Sequence, residues 1–151
     1  QELRSFATRL ASPLAETIAA ADNWRRWPLF DARPMPRPAD PSTAATLIGD
    51  AAHPMVPFLA QGAAMAIEDA LSLGRTIAAN PSDPATAFRR HERERAPRVN
   101  RVTASAARNG RIFHLRGAFA SARDLTLKLH TEAALISRYD WLYGGGPARI
   151  E

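Results

Sequence analysis

Cysteine is absent from all 151 residues, which removes disulfides, thiolate nucleophiles and cysteine-ligated metals from the chemistry open to this chain. That absence is compatible with a reducing compartment, and a cytoplasmic location is the expectation it leaves. Lysine occurs once, as Lys128, so arginine carries most of the net charge of +5. No apolar run approaches the roughly 20 residues that a membrane-spanning helix needs, and no basic start with an apolar core and cleavage site marks a secretion signal. No Gly-x-Gly-x-x-Gly pattern occurs, so the pyrophosphate-binding turn of a dinucleotide fold is missing. The eight glycines are scattered, apart from Gly144-Gly145-Gly146 near the end. No metal site is expected.

What is present is ordinary for a globular chain: 46% hydrophobic and 23% charged residues, enough for a sizeable core. The informative stretch runs from Ala44 to Ala79. Ala44 to Ile48 is a short apolar run that fits a buried strand, and Gly49-Asp50 then turns the backbone. Pro54 and Pro57 stiffen the loop that follows, since each fixes its own φ and biases the preceding residue away from helix. From Gln61-Gly62 the small residues resume, and Ala63 to Ala79 reads as a helix that is apolar almost all round and therefore buried. A carboxylate at a strand end then faces a helix N-terminus with free N–H groups. That pairing suits a ligand with hydroxyls and a partial negative charge.

Gly49-Asp50-Ala51-Ala52-His53, Pro57, Gln61-Gly62 and Glu68-Asp69-Ala70 together resemble the second flavin motif of single-component FAD-dependent aromatic hydroxylases, the salicylate and para-hydroxybenzoate hydroxylase type. The resemblance implies an α/β parent fold, FAD-binding and para-hydroxybenzoate hydroxylase-like. This chain would supply mostly α-helix with one or two strands. It implies an FAD site made by Gly49, Asp50, Pro57, Gln61, Gly62, Ala63 and Ala64, with Asp50 on the ribityl chain. The amides of Ala63 and Ala64 would face the flavin N1–C2=O edge. Pro57 would act in catalysis through its carbonyl near the substrate ring, with Phe58 against the substrate. It further implies an aromatic acid substrate, NADH or NADPH as transient reductant, and a homodimer as a compatible assembly. Many members have Gly where this chain has Ala60, and Asn where it has Ala64. Backbone donation survives an alanine, whereas any contact made by an asparagine side chain does not.

Three regions are expected: 1–41, the end of a substrate-side region with a proline-rich connector; 42–80, the FAD-binding strand–loop–helix; and 81–151, a C-terminal helical region. In the first, Leu3, Phe6 and Leu10 form one helical stripe, and Ser12-Pro13 opens a second helix with Ser as N-cap. Asn23 to Phe30 resembles an edge strand of the family. Trp24 and Trp27 there either line a pocket or pack at the edge. Arg33 to Pro41 holds four prolines and reads as a stiff connector. In the second, Glu68 and Asp69 require partners inside a buried helix, and arginines are the expected ones. His53 is read as a supporting residue, although an imidazole changes charge near neutral pH. In the third, Asp83 and Pro84 open an arginine-rich helix as N-cap and first residue. Pro97 should kink or divide it. His91 to Arg98 resembles the family's Tyr-Glu-x-x-Arg-x-Pro-Arg stretch, with His91 in the Tyr position. Asn109-Gly110 either ends that helix through a left-handed residue or lies inside it. Leu125, Leu129, Ala133 and Ile136 mark a further amphipathic helix, and Tyr139 to Gly144 resembles the chain end of the salicylate-hydroxylase type.

Two alternatives stand beside the enzyme reading: a non-catalytic helical fragment, and a binding module with a basic helix. The arginines alternate with glutamates and no nucleic-acid motif occurs, so nucleic acid is not an expected partner. Because the chain opens on Gln1 and lacks the glycine turn, it reads as the C-terminal part of a longer protein whose N-terminal FAD-binding part is the missing partner.

Overall fold

The protein is described here by a computed structural model covering residues 2–7, 10, 12–21, 23–25, 27–28 and 45–144. Seven helices and one 3₁₀ turn are found among these residues. α1 (Glu2–Ala7) and α2 (Ser12–Ala19) pack on one another. The second begins at Ser12 itself, whose hydroxyl reaches the Glu16 carboxylate one turn on. The proline-rich connector, together with Ala44, Leu29 and Phe30, lies outside the described residues.

The centre is an antiparallel hairpin of α3 (Gly62–Ala79) and α4 (Pro84–Phe113). Asp83 caps α4 as expected, its carboxylate accepting the Thr86 N–H at 3.0 Å, with Pro84 at the first position. The 30 residues of α4 make a rod about 45 Å long. Pro97 does not divide it. A proline there forfeits one backbone bond, and the side chains on either side of it, Arg95 and Arg98, hold the helix onto α3 through ion pairs. Asn109-Gly110 does not end α4 either. The helix runs on to Phe113, and Arg123 Nη1 donates to the carbonyls of Ile112 and Phe113, satisfying its C-terminus.

The core is small. Met65 of α3 meets Val99 and Val102 of α4 and Leu142 of α7 (Asp140–Tyr143), with Met55, Leu59, Ala64, Tyr139 and Trp141 packed around them. Ala87 and Ala106 are buried on the same α4 face, where small side chains allow close helix approach. α3 is less enclosed than its composition implies: Ile67 is 70% exposed and Ile77 40%.

No strand occurs among the described residues, which does not conflict with the one or two strands expected of part of a longer fold. Ile48 is extended (φ −133°, ψ 161°), yet both it and Leu47 are exposed. A buried strand needs ladder partners on its edges, and the described residues offer none. Likewise residues 23–25 and 27–28 form no strand. The amphipathic stripe from Leu125 to Ile136 is broken into α5 (Gly117–Leu129) and α6 (Glu132–Ser137), because Thr131 caps α6 by accepting the Ala134 N–H. Neither helix buries a residue.

Candidate functional site

The 3₁₀ turn Gly49–Ala51 sits on the first turns of α3. Gly49 is buried with φ +58°, and a Cβ there would lie 3.2 Å from the Ala66 Cβ. Glycine answers both demands, the left-handed backbone and the close approach. Its carbonyl accepts the N–H groups of Ala52 and His53, and its own N–H donates to Asp69 Oδ2 at 2.9 Å. Gly62, Ala66 and Asp69 are spaced four and three apart, so they share the α3 face that receives the turn.

This docking carries Asp50 to the start of α3. Its Oδ1 lies 3.7 Å from where a Gly62 Cβ would be, and its side chain is exposed. Gln61 precedes the helix without a side-chain cap and accepts the Met65 N–H through its carbonyl. The N–H groups of Gly62, Ala63 and Ala64 therefore have no partner inside the helix. An exposed carboxylate next to uncapped amides is a donor and acceptor set that fits a polyol chain continuing into an anionic ring edge.

The loop between them is pinned from the far side. Phe58 packs edge-on against Phe113 and His114, with ring centroids 5.9 and 5.5 Å apart. A Cβ on Gly110 would come within 2.6 Å of the Phe58 ring, so only glycine admits it. Asn109 Nδ2 donates to the Phe58 carbonyl and to the Tyr139 hydroxyl, at 3.4 and 3.3 Å. The Pro57 carbonyl accepts the Ala60 N–H at 3.0 Å, leaving its second lone pair.

That turn places Ala60 at φ +52°, where a Cβ crowds the neighbouring carbonyl. Glycine would relieve it. Ala60→Gly should stabilise the protein by about 1 kcal/mol, the relief of roughly 1–2 kcal/mol of left-handed strain less the added freedom of the unfolded chain. The check is a higher urea midpoint at unchanged slope, and a lower midpoint would contradict the strained geometry.

Beneath the turn lies a polar network. Asp69 Oδ1 accepts Arg95 Nε at 2.7 Å, while Oδ2 takes the Gly49 N–H and His53 Nε2. Arg95 Nη1 also reaches Glu68 Oε2 at 2.6 Å, and Arg98 grips both Glu68 oxygens at 2.7 and 2.8 Å. Arg98 then donates to the carbonyls of Trp141 and Leu142, at 3.3 and 3.1 Å. Burial pushes the Asp69 carboxyl up, but the Gly49 N–H, Arg95 and His53 outweigh it and hold the group below its ordinary range. Glu68 is likewise lowered: burial raises it, and Arg98 with Arg95 more than offsets that. The Glu68 hydrogen bond raises Arg98. His91, whose Nδ1 lies 3.1 Å from Ser72 Oγ, is lowered chiefly by burial.

The arginine partners expected for Glu68 and Asp69 are thus Arg95 and Arg98, and His53 supports the turn from behind. The structure brings Gly49, Asp50, Gln61, Gly62, Ala63 and Ala64 together at one end of α3, with Pro57 and Phe58 on the adjoining loop. The sequence marks Asn109-Gly110 only as a candidate helix end and Tyr139 only as part of the chain end, neither as a support of this loop. Only a glycine inside an otherwise helical run hinted that something packs there. Among the described residues no group of His, Asp and Glu is arranged to hold a metal, and no helix is long and apolar enough to cross a membrane.

Residues 44–106 match the family described as FAD binding domain. The chain is 39% identical over 144 residues to the 3-hydroxybenzoate 6-hydroxylase of Klebsiella oxytoca, covering 95% of this chain and 36% of that protein. It is 43% identical over 135 residues to the 3-amino-4-hydroxybenzoate 2-monooxygenase of Streptomyces platensis, covering 88% and 33%. Over 86 residues it is 45% identical to the 6-hydroxynicotinate 3-monooxygenase of Bordetella bronchiseptica, covering 56% and 22%. The chain spans about a third of the length of the first two of these curated relatives. Over residues 44–106 the chain thus resembles the FAD binding domain family, and over most of its length it is similar to these hydroxylases and monooxygenases of aromatic acids.

Proposed function

We propose that this chain is the C-terminal part of a single-component flavin monooxygenase that hydroxylates an aromatic acid with NADH or NADPH and dioxygen. The observation that carries the reading is the exposed Asp50 carboxylate beside the uncapped amides of α3. Bound FAD would supply the redox chemistry, taking hydride from the nicotinamide and delivering one oxygen atom of dioxygen to the ring. The chain's own residues bind and orient. Asp50 accepts hydrogen bonds from the ribityl hydroxyls. Gly49, Gln61 and Gly62 shape the turn and the helix start, and the Ala63 and Ala64 amides stabilise negative charge on the flavin edge, an effect worth roughly 1–2 kcal/mol at a helix end. The Pro57 carbonyl and the Phe58 side of the loop face the substrate ring, whose chemical class follows the hydroxy- and aminobenzoate names of the relatives.

On this reading the division into 1–41, 42–80 and 81–151 separates the substrate-side, cofactor-side and closing regions. The exposed apolar side chains of α5, Phe119, Leu125 and Leu129, lie where the remainder of the longer protein packs. The arginine-rich helix is a packing element. Arg95 and Arg98 are committed to Glu68 and Asp69, Arg90 pairs with Glu94, and Arg101 lies 3.9 Å from the centre of the Trp141 ring.

The test is flavin titration of the apoprotein of the complete enzyme. Asp50→Ala should weaken FAD binding by about one to two decades, the worth of hydrogen bonds to a charged acceptor. His53→Ala should cost less, because His53 touches Asp69 and not the cofactor. If His53→Ala abolishes binding while Asp50→Ala retains it, the cofactor does not sit on this motif.

A further inference from the structure

Asp69 is 1% exposed and lies almost two helical turns along α3 from Gly62. Nothing places it against a ligand. Every oxygen it has is nevertheless engaged, and three of the engaged groups belong to different parts of the chain: the Gly49 N–H at the head of the turn, the His53 ring at its tail, and Arg95 of α4. The first two bracket Asp50. On the helix side, Asp69 shares its face with Ala66, which meets Gly49, and with Gly62, which meets Asp50.

A single carboxylate therefore ties both ends of the Asp50 turn to the helix that supplies the amides, while Arg95 fixes the carboxylate itself. We propose that Asp69 is a positioning residue for FAD: it registers the Asp50 turn on α3, so that carboxylate and helix amides meet the cofactor as one preformed surface. The inference rests on the FAD reading given above. Its physical content is preorganisation. A turn free to slide on α3 would have to be ordered when the cofactor binds, and that ordering cost would be taken from the affinity.

A residue that acts through another is recognised by a double-mutant cycle. In the complete enzyme, Asp69→Asn keeps the size and one acceptor but removes the charge that holds Arg95. It should weaken FAD about tenfold in the native background and less than about twofold in the Asp50→Ala background, where no carboxylate remains to be placed. The fall in melting temperature should be the same in both backgrounds, which separates positioning from general loss of structure. A tenfold loss in both backgrounds, or none in the native one, overturns the proposal. Should Asp69→Asn not fold, His53→Ala removes one of the same two ties. It should weaken FAD about threefold, again only while Asp50 is present, and equal losses in both backgrounds overturn the proposal equally. If Asp50→Ala by itself leaves FAD affinity unchanged, the FAD reading fails, and that result is distinct from failure of the positioning role.

Discussion

Arg95→Ala should destabilise the protein by about 3–5 kcal/mol, because it strips the shared partner from the buried Asp69 carboxylate and the part-buried Glu68 carboxylate at once. The side chains of Arg95 and Asp69 are 12% and 2% exposed, and that of Glu68 is 18% exposed. Water has little access to replace the guanidinium beside Asp69. Glu68 keeps Arg98, but Asp69 is left with a backbone N–H and His53. The Arg95 guanidinium also meets Met65, with Nη2 3.4 Å from the Met65 carbonyl oxygen and 3.6 Å from its sulfur, so truncation opens a gap beside the core.

The same variant should lose stability at a higher pH. In the native protein the carboxyls of Asp69 and Glu68 are lowered from their ordinary values of 3.8 and 4.5. Such groups stabilise the fold fully above their unfolded values, and the contribution disappears as pH falls through the lowered ones. Without Arg95, burial is less opposed and both carboxyls rise, so acid unfolding should begin at a less acidic pH. Urea unfolding at neutral pH, together with an acid titration followed by far-ultraviolet circular dichroism, measures both effects. An Arg95→Ala protein within 1 kcal/mol of native (a margin well below the roughly 3 kcal/mol expected) would mean that the network is solvated and not structural.

How much of this network was legible in the sequence can be judged residue by residue. Glu68 and Asp69 stood out as charges in an apolar helix, and burial alone demanded cationic partners for them. The partners follow from the turn. Asn80 to Asp83 reverses the chain, so residues at similar distances on either side meet, and Arg95 with Arg98 falls opposite Asp69 and Glu68. The Asp83–Pro84 helix start was likewise plain, because a cap is a local device.

What was not legible is tertiary. The apolar run at 44–48 has the composition of a buried strand, but a strand is defined by its neighbours, and none lies among the described residues. Pro97 carries a local penalty that ion pairs from adjacent side chains on the same helix outweigh. Gly110 reads as a stop signal by itself; inside α4 its use is the flat surface it gives to Phe58, a residue about a third of the chain away. The departure at Ala60 has the opposite character. The family preference for glycine there has a physical cause in the backbone, a φ of +52° that this chain adopts with a methyl group attached.

Leu142→Ala should cost about 2–5 kcal/mol, the range for truncating a buried leucine that leaves a cavity. Leu142 is 3% exposed and belongs to the same cluster as Met65, Val99 and Val102. α7 has only four residues, too few to hold a helix by its own hydrogen bonds. Its position depends on that one side chain, on the Trp141 ring over Arg101, and on Arg98 reaching the carbonyls of Trp141 and Leu142. The loss should therefore exceed that of burying the three side-chain carbons the truncation removes. Once α7 loosens, Arg98 loses two acceptors, and the Glu68 pair it makes opens to water. Tyr139, one residue before α7, would also release Asn109, which holds the Phe58 carbonyl. The comparison is Tyr143→Ala, whose side chain is exposed and outside the core; it should change stability by no more than about 0.5 kcal/mol. Urea midpoints of the two variants decide the matter. Equal, small losses would mean that the end of the chain does not close over the α3–α4 hairpin in solution.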